Sequence, residues 1–226
     1  MEQRYYSVAI DGPAGAGKST IARRAAERMR FVYVDTGAIY RTVGYAACAR
    51  GLTLQDTAKI AAMLPGLSVS LRWEDGLQHM LLNGADVTAL IRQPEISTYA
   101  SVCAAIPEVR AFLLNTQREI AKTHSVVMDG RDIGTVVLPQ ADVKIFLTAS
   151  AEVRARRRYL ELQEKLAPDT YETVLAEMIE RDRRDSERAA APLRQAPDAV
   201  LLDTSELNLE ESIDAVVRVI LERIPS

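Results

Sequence analysis

The chain has 226 residues, 48 % apolar and 26 % charged, with a formal net charge of -3 at pH 7. These values fit one globular domain, or one domain with inserts, around a sizeable core. They exclude the global basic field that binds duplex nucleic acid, and no run of about 18 apolar residues offers a membrane span. Cys48 and Cys103 form no CxxC pair, and His79 and His124 stand alone, so neither a zinc site nor a disulfide framework follows. Two isolated thiols fit a reducing cytosol. The start, MEQRYYSVAI, lacks the basic flank and apolar run of a secretory signal. The expected location is cytoplasmic. Of the 28 basic residues, 23 are arginine and 5 lysine. With such an excess a single arginine is a weak signal, and only one placed by a motif counts.

Residues 5–10 predict a buried strand, 17–29 a helix, 31–34 a short strand and 38–49 a second helix. Apolar runs rich in β-branched residues at 125–128, 143–147 and 199–202 predict three more strands. Helical patterns at 108–122, 151–166, 171–188 and 209–224 separate them or close the chain. Strand–helix alternation implies an α/β fold with a five-stranded parallel sheet flanked by helices. Residues 54–106 break the alternation. Runs at 67–73 and 79–82 around Asp75-Gly76 predict an antiparallel hairpin. No flexible linker borders this stretch, so it reads as an insert within a single domain.

Between the first strand and helix lies IDGPAGAGKST, which holds Gly12-x-x-x-x-Gly17-Lys18-Ser19. Gly12, Pro13, Ala14, Gly15, Ala16 and Gly17 supply a loop whose backbone N–H groups can surround phosphate, at a helix start that favours anions. Lys18 would reach the β- and γ-phosphates and Ser19 would hold Mg²⁺, with Thr20 as a second hydroxyl. The pattern implies a nucleoside triphosphate and leaves the reaction open. A switch GTPase needs an NKxD-type base reader, and the nearest match, Asn83-Gly84-Ala85-Asp86, lacks the lysine. A mechanical ATPase needs sensor motifs for which the chain leaves little room. A small-molecule kinase needs a second phosphate site and a closing lid, and the remaining motifs favour it.

VDTGAIYR follows the second strand at the edge where α/β sheets bind ligands. There Thr36 is either the N-cap of the next helix or a ligand contact, and Arg41 faces an acceptor phosphate or solvent. AEVRARRRYLELQEK crowds Arg154, Arg156, Arg157 and Arg158 into one and a half turns. The cluster is a solvated face paired with Glu161 and Glu164, or a phosphate-closing lid over about 151–170. In MIERDRRDSERAAAPL, Arg181, Asp185 and Arg188 share a helical face, as an ion-pair ladder or as the lid's return limb. VVMDGRDIGTVV places Asp129, Arg131 and Asp132 at the end of a strand. Asp129 caps the following turn or orients Mg²⁺ through water.

Taken together, IDGPAGAGKST, DTGAIYR, DGRDIGTVV, KIFLTAS, LQEK and ERDRRDSERAAAPL resemble the bacterial cytidylate kinases along nearly the whole chain. The resemblance implies a nucleoside-monophosphate-kinase fold with an enlarged substrate-binding insert, and transfer of the γ-phosphate of ATP to CMP or dCMP. It implies that Ser101, Arg110 and Asp132 read cytosine and that Arg181 and Asp185 meet the ribose. Arg41, Arg131 and Arg188 would meet the CMP phosphate, with Thr36 nearby. Lys18, Arg131, Arg188, Arg157 and Arg158 would neutralise charge during transfer. Threonine stands at position 36 where the family often has serine, and Ser19 where many members have glycine. An ionised Asp132 only accepts hydrogen bonds, so it suits the amino group of cytosine and rejects the carbonyl of uracil. The alternatives are a UMP/CMP kinase with relaxed base choice and a nucleotide-binding regulatory module without turnover. A monomer is expected.

Overall fold

The computed structural model describes residues 4–74, 76–164, 166 and 168–224. Asp75 of the expected turn, and Lys165 and Ala167 of the expected lid, lie outside the described residues. In chain order the elements are β1 (Ser7–Asp11), α1 (Lys18–Met29), β2 (Val32–Asp35), α2 (Thr36–Cys48), α3 (Thr57–Met63), β3 (Val69–Glu74), β4 (Leu77–Leu82) and β5 (Ala85–Asp86). They continue with α4 (Pro94–Cys103), α5 (Pro107–Thr123), β6 (Val126–Gly130), β7 (Val143–Thr148), α6 (Ala151–Glu164), α7 (Tyr171–Glu187), β8 (Val200–Asp203) and α8 (Leu209–Leu221).

The five expected core strands form one parallel sheet in the order β2-β6-β1-β7-β8. Apolar side chains fill both faces, as a doubly covered parallel sheet requires. On one face Val8, Ile10, Val127 and Ile145 pack with Ile21 of α1 and with Ile213, Val216 and Ile220 of α8. Each such buried aliphatic side chain stabilises the fold by about 1.5–3 kcal/mol. On the other face Ala9, Val34 and Met128 pack with Ile39 and Val43 of α2, Ile96 of α4 and Leu113 of α5.

Several strands run further than their apolar cores suggest. β1, β2 and β8 end on Asp11, Asp35 and Asp203, and β6 continues through Asp129 to Gly130. Parallel pairing carries these residues in register, with Asp35 opposite Asp129 and Asp11 opposite Gly130. The carboxyl edge of the sheet is thereby lined with carboxylates.

The insert contains the expected hairpin, extended by the short β5 into a separate three-stranded antiparallel sheet. It also contains α3 and α4, which no periodic pattern announced. Gln78 of β4 clamps the end of β2, accepting from Asp35 N at 2.8 Å and donating to Asp35 O at 3.2 Å. Trp73 Nε1 donates to Tyr33 O at 3.2 Å. The insert is thus tied to an edge strand of the core.

Candidate active site

β1 delivers the chain to the phosphate loop. Gly12 has φ 151°, and a Cβ there would lie 1.9 Å from the Leu147 carbonyl oxygen, so β7 allows only glycine. Gly17 is the N-cap of α1 with φ 80°, and no side chain caps this helix. Its first N–H groups are left to an external acceptor, which makes the helix start an anion site. Lys18 is buried and its Nζ donates to Pro13 O at 2.6 Å. Burial, and then the cations Arg131 and Arg181, hold the Lys18 amine well below the usual lysine range.

The carboxylates of the sheet edge divide the work. Asp11 is buried and accepts from Ile133 N and Gly134 N, both at 2.8 Å, which ties the phosphate loop to the turn after β6. Asp129 accepts from Ser19 Oγ at 3.0 Å and from Tyr33 Oη at 2.8 Å. Burial pushes both Asp11 and Asp129 up to about 6, and Asp35 adds to the effect at Asp129. Asp35 caps α2, accepting from Ala38 N at 2.9 Å, and pairs with Arg92 at 3.1 Å. The cap of α2 is therefore Asp35 and not Thr36. The shift has a simple cause: α2 begins at Thr36 itself, one residue after the strand ends. Thr36 instead donates its hydroxyl proton to Asp129 O at 2.7 Å.

Beyond Gly130 the charges interlock. Arg131 Nε donates to Asp185 of α7 at 2.8 Å. Asp132 is buried, hydrogen-bonded to Arg110 of α5, with Arg188 at 3.6 Å on its other oxygen. Burial pushes the Asp132 carboxyl up, against the pull of Arg110 and Arg188. Burial likewise acts to raise Asp185, but Arg131, Arg181 and Arg188 hold it below the usual range. The Arg110 guanidinium lies over the Tyr40 ring, 5.7 Å from its centroid, and donates to Ala104 O at 3.2 Å. Burial and neighbouring arginines lower both Arg41 and Arg181.

Most of these groups line one cleft of about 360 Å³, with Asp11, Gly12, Tyr33 and Arg92 behind its walls. The structure brings together Ala14, Gly15, Gly17, Lys18, Ser19, Thr20, Thr36, Arg41, Ser101, Arg110, Asp129, Arg131, Asp132, Arg157, Arg181, Asp185 and Arg188. The arginine cluster of α6 divides. Arg154 is buried beneath the phosphate loop, donating to Ala149 O at 2.8 Å and Ala14 O at 2.9 Å, and pairing with Asp182 of α7 at 2.7 Å. Arg157 lines the cleft and is steadied by Thr204 O at 2.8 Å. Arg158 is exposed and not itself part of the cleft lining, and it pairs at 3.1 Å with Glu161, which does line it.

Asp11, Tyr33, Asp35, Tyr40 and Arg92 belong to the site's framework and carried no assigned role in the sequence, and Arg154, read there as part of the lid cluster, is a buried part of the same framework. For Asp11 and Asp35 a signal existed, since each ends a strand directly before a motif.

An oxygen-only pair, Ser19 Oγ and Asp129, beside a loop built for phosphate suits a hard cation carried by a triphosphate. The cations that line the cleft, Lys18, Arg41, Arg110, Arg131, Arg157, Arg181 and Arg188, suit more than one anionic group.

The family described as Cytidylate kinase matches residues 8–222. A cytidylate kinase of Exiguobacterium sp. is 49 % identical over 95 % of this chain and 96 % of its own length. One of Geobacillus kaustophilus is 48 % identical over 98 % of this chain and 99 % of its own. Among solved structures, an uncharacterized protein from Eubacterium ventriosum covers 95 % of this chain and 98 % of its own, with a TM-score of 0.53 at 12 % identity, which is a likeness of fold. The family match takes in every charged group of the cleft, and the chain belongs to the cytidylate kinase family, a family of phosphotransferases.

Proposed function

We propose that the chain transfers the γ-phosphate of ATP to CMP or dCMP, giving ADP and CDP or dCDP, with Mg²⁺. The observation that carries this reading is the convergence of Lys18, Arg41, Arg131 and Arg181 in one cleft, where burial and the neighbouring arginines lower the proton affinity of Lys18, Arg41 and Arg181. Such a cluster is relieved by bound phosphates.

A CMP phosphate oxygen, already anionic, attacks the γ-phosphorus, and the β–γ bridging oxygen leaves with ADP. Phosphoryl transfer of this kind depends on positioning and charge neutralisation more than on a general base. Lys18 and the loop N–H groups hold the donor phosphates. Arg41, Arg131 and Arg188 hold the acceptor phosphate, and Arg157 closes from α6, with Arg158 joining only if the lid turns inward. Ser19 would hold Mg²⁺ with Asp129 orienting it through water, and the ion would supply charge neutralisation at the donor phosphates. Ser19 is favoured over Thr20 because it is the hydroxyl bonded to Asp129.

At the other end Asp132 accepts from the cytosine amino group, while Arg110 and Ser101 serve the ring N3 and O2. Arg181 and Asp185 hold the ribose. Thr36 lies beside the acceptor phosphate, its own proton committed to the Asp129 carbonyl. Residues 54–106 and 151–170 act as substrate insert and lid of a single domain. The reading includes a monomer. Free Cys48 and Cys103, the latter pushed up to about 12 by burial, support a cytoplasmic setting.

The test is ADP formation with CMP, dCMP, UMP, AMP and GMP as acceptors. Rates on CMP well above those on UMP are expected. Equal rates would favour a relaxed UMP/CMP enzyme, and nucleotide binding without CDP would favour a regulatory module.

A further inference from the structure

We propose that Tyr33 is a positioning residue for the metal–nucleotide complex: its hydroxyl holds the Asp129 carboxylate in the rotation that turns Oδ2 to the P-loop serine. The inference rests on the reading that Ser19 and Asp129 serve the metal.

Tyr33 stands on β2, in register with Val127 and two residues before Asp35. Its ring is buried with the aliphatic residues of the α1 face, where phenylalanine would pack equally well. A buried hydroxyl in such surroundings is unfavourable unless it is hydrogen-bonded. Its partner is Asp129 Oδ1, at 2.8 Å. A carboxylate turns readily about its terminal torsion, which has broad, roughly two-fold minima. Ser19 alone, at 3.0 Å from Oδ2, leaves that rotation loosely set. With Tyr33 on one oxygen and Ser19 on the other, one orientation is fixed before any ligand enters.

Two other contacts anchor the tyrosine itself. The Arg23 guanidinium lies over its ring, 5.3 Å from the centroid, and its carbonyl accepts from Trp73 of the insert. A phenylalanine keeps both, so the hydroxyl can be tested apart from the ring. Partners that orient metal ligands typically contribute about 10-fold or more in metal affinity.

The experiment is Mn²⁺ binding to the protein–ADP complex, read by electron paramagnetic resonance on the full chain, for the unaltered protein, Tyr33→Phe, Asp129→Asn and Trp73→Phe. Tyr33→Phe should weaken Mn²⁺ by about 10-fold. It should raise the Mg²⁺ needed for half-maximal rate by a similar factor and leave KM for CMP unchanged. Trp73→Phe, which removes the insert's bond and spares the hydroxyl, should bind Mn²⁺ as the unaltered protein does. If Tyr33→Phe retains full Mn²⁺ affinity while Asp129→Asn loses it, the metal reading stands and the role of Tyr33 is overturned. If Asp129→Asn also retains it, the metal reading falls and this inference falls with it.

Discussion

At the insert end of the cleft a single buried carboxylate, Asp132, is hydrogen-bonded to Arg110, so these two charges already have each other as partners. At the phosphate end Lys18, Arg41, Arg131 and Arg181 crowd together, and burial and mutual repulsion depress the proton affinity of Lys18, Arg41 and Arg181. A ligand entering the first region must replace bonds that exist, so it is accepted only if its donors and acceptors match. A ligand entering the second relieves repulsion, so any suitably placed phosphate gains. On the proposed reading, affinity and choice are thus assigned to opposite ends.

The deepest break in this contrast is Lys18→Ala, which should lower kcat/KM for both CMP and UMP by about 10³-fold or more, with their ratio unchanged when ADP formation is measured. Asp132→Asn attacks the other end. An amide can donate to the uracil carbonyl, so the ratio of kcat/KM for CMP over UMP should fall by about 10²-fold. An unaltered ratio would remove Asp132 from base choice.

The free protein in EDTA should lose stability as pH rises from 4 to 6, measured by urea unfolding. Asp11 and Asp129 have folded values near 6 against a reference of 3.8, so the folded chain binds more protons across that window. Their contribution is greatest when they are protonated and is lost once pH passes about 6. Arg181→Gln should stabilise the nucleotide-free protein by about 1 kcal/mol, or about 2–4 °C in Tm, while weakening CMP binding. Arg158→Ala should change kcat by less than about two-fold if its exposed bond to Glu161 is all it makes. A large loss would show that the lid turns it inward.

The phosphate end was legible because its residues are contiguous. One loop carries Gly12 to Thr20, one strand end carries Asp129 to Asp132, and hydrophobic periodicity places both at the same sheet edge. The base end was not legible in that way. Arg110 is one arginine among 23 and Ser101 sits in a helix without marked periodicity, so only the family resemblance singled them out. α4 escaped because it answers to α2, far away in sequence. Gly44 admits the Tyr99 backbone so closely that a Cβ would lie 2.9 Å from the Tyr99 Cβ. Arg154 and Arg158 teach a similar lesson. They share a face of α6, yet its first turn sits on the phosphate loop and the next projects past it.

That first turn also limits how the molecule can flex. Arg154 fastens α6 to the floor of the cleft through Ala14, and to α7 through Asp182. Ala155 packs in the same corner against Val174 and Met178. If residues 151–170 close as the proposed lid, an arm fixed at its root in this way pivots beyond the fixing point, which puts the hinge after Arg154. On that reading the donor's seat stays still while the cover moves, and a nucleoside triphosphate can settle before the gate above it shuts.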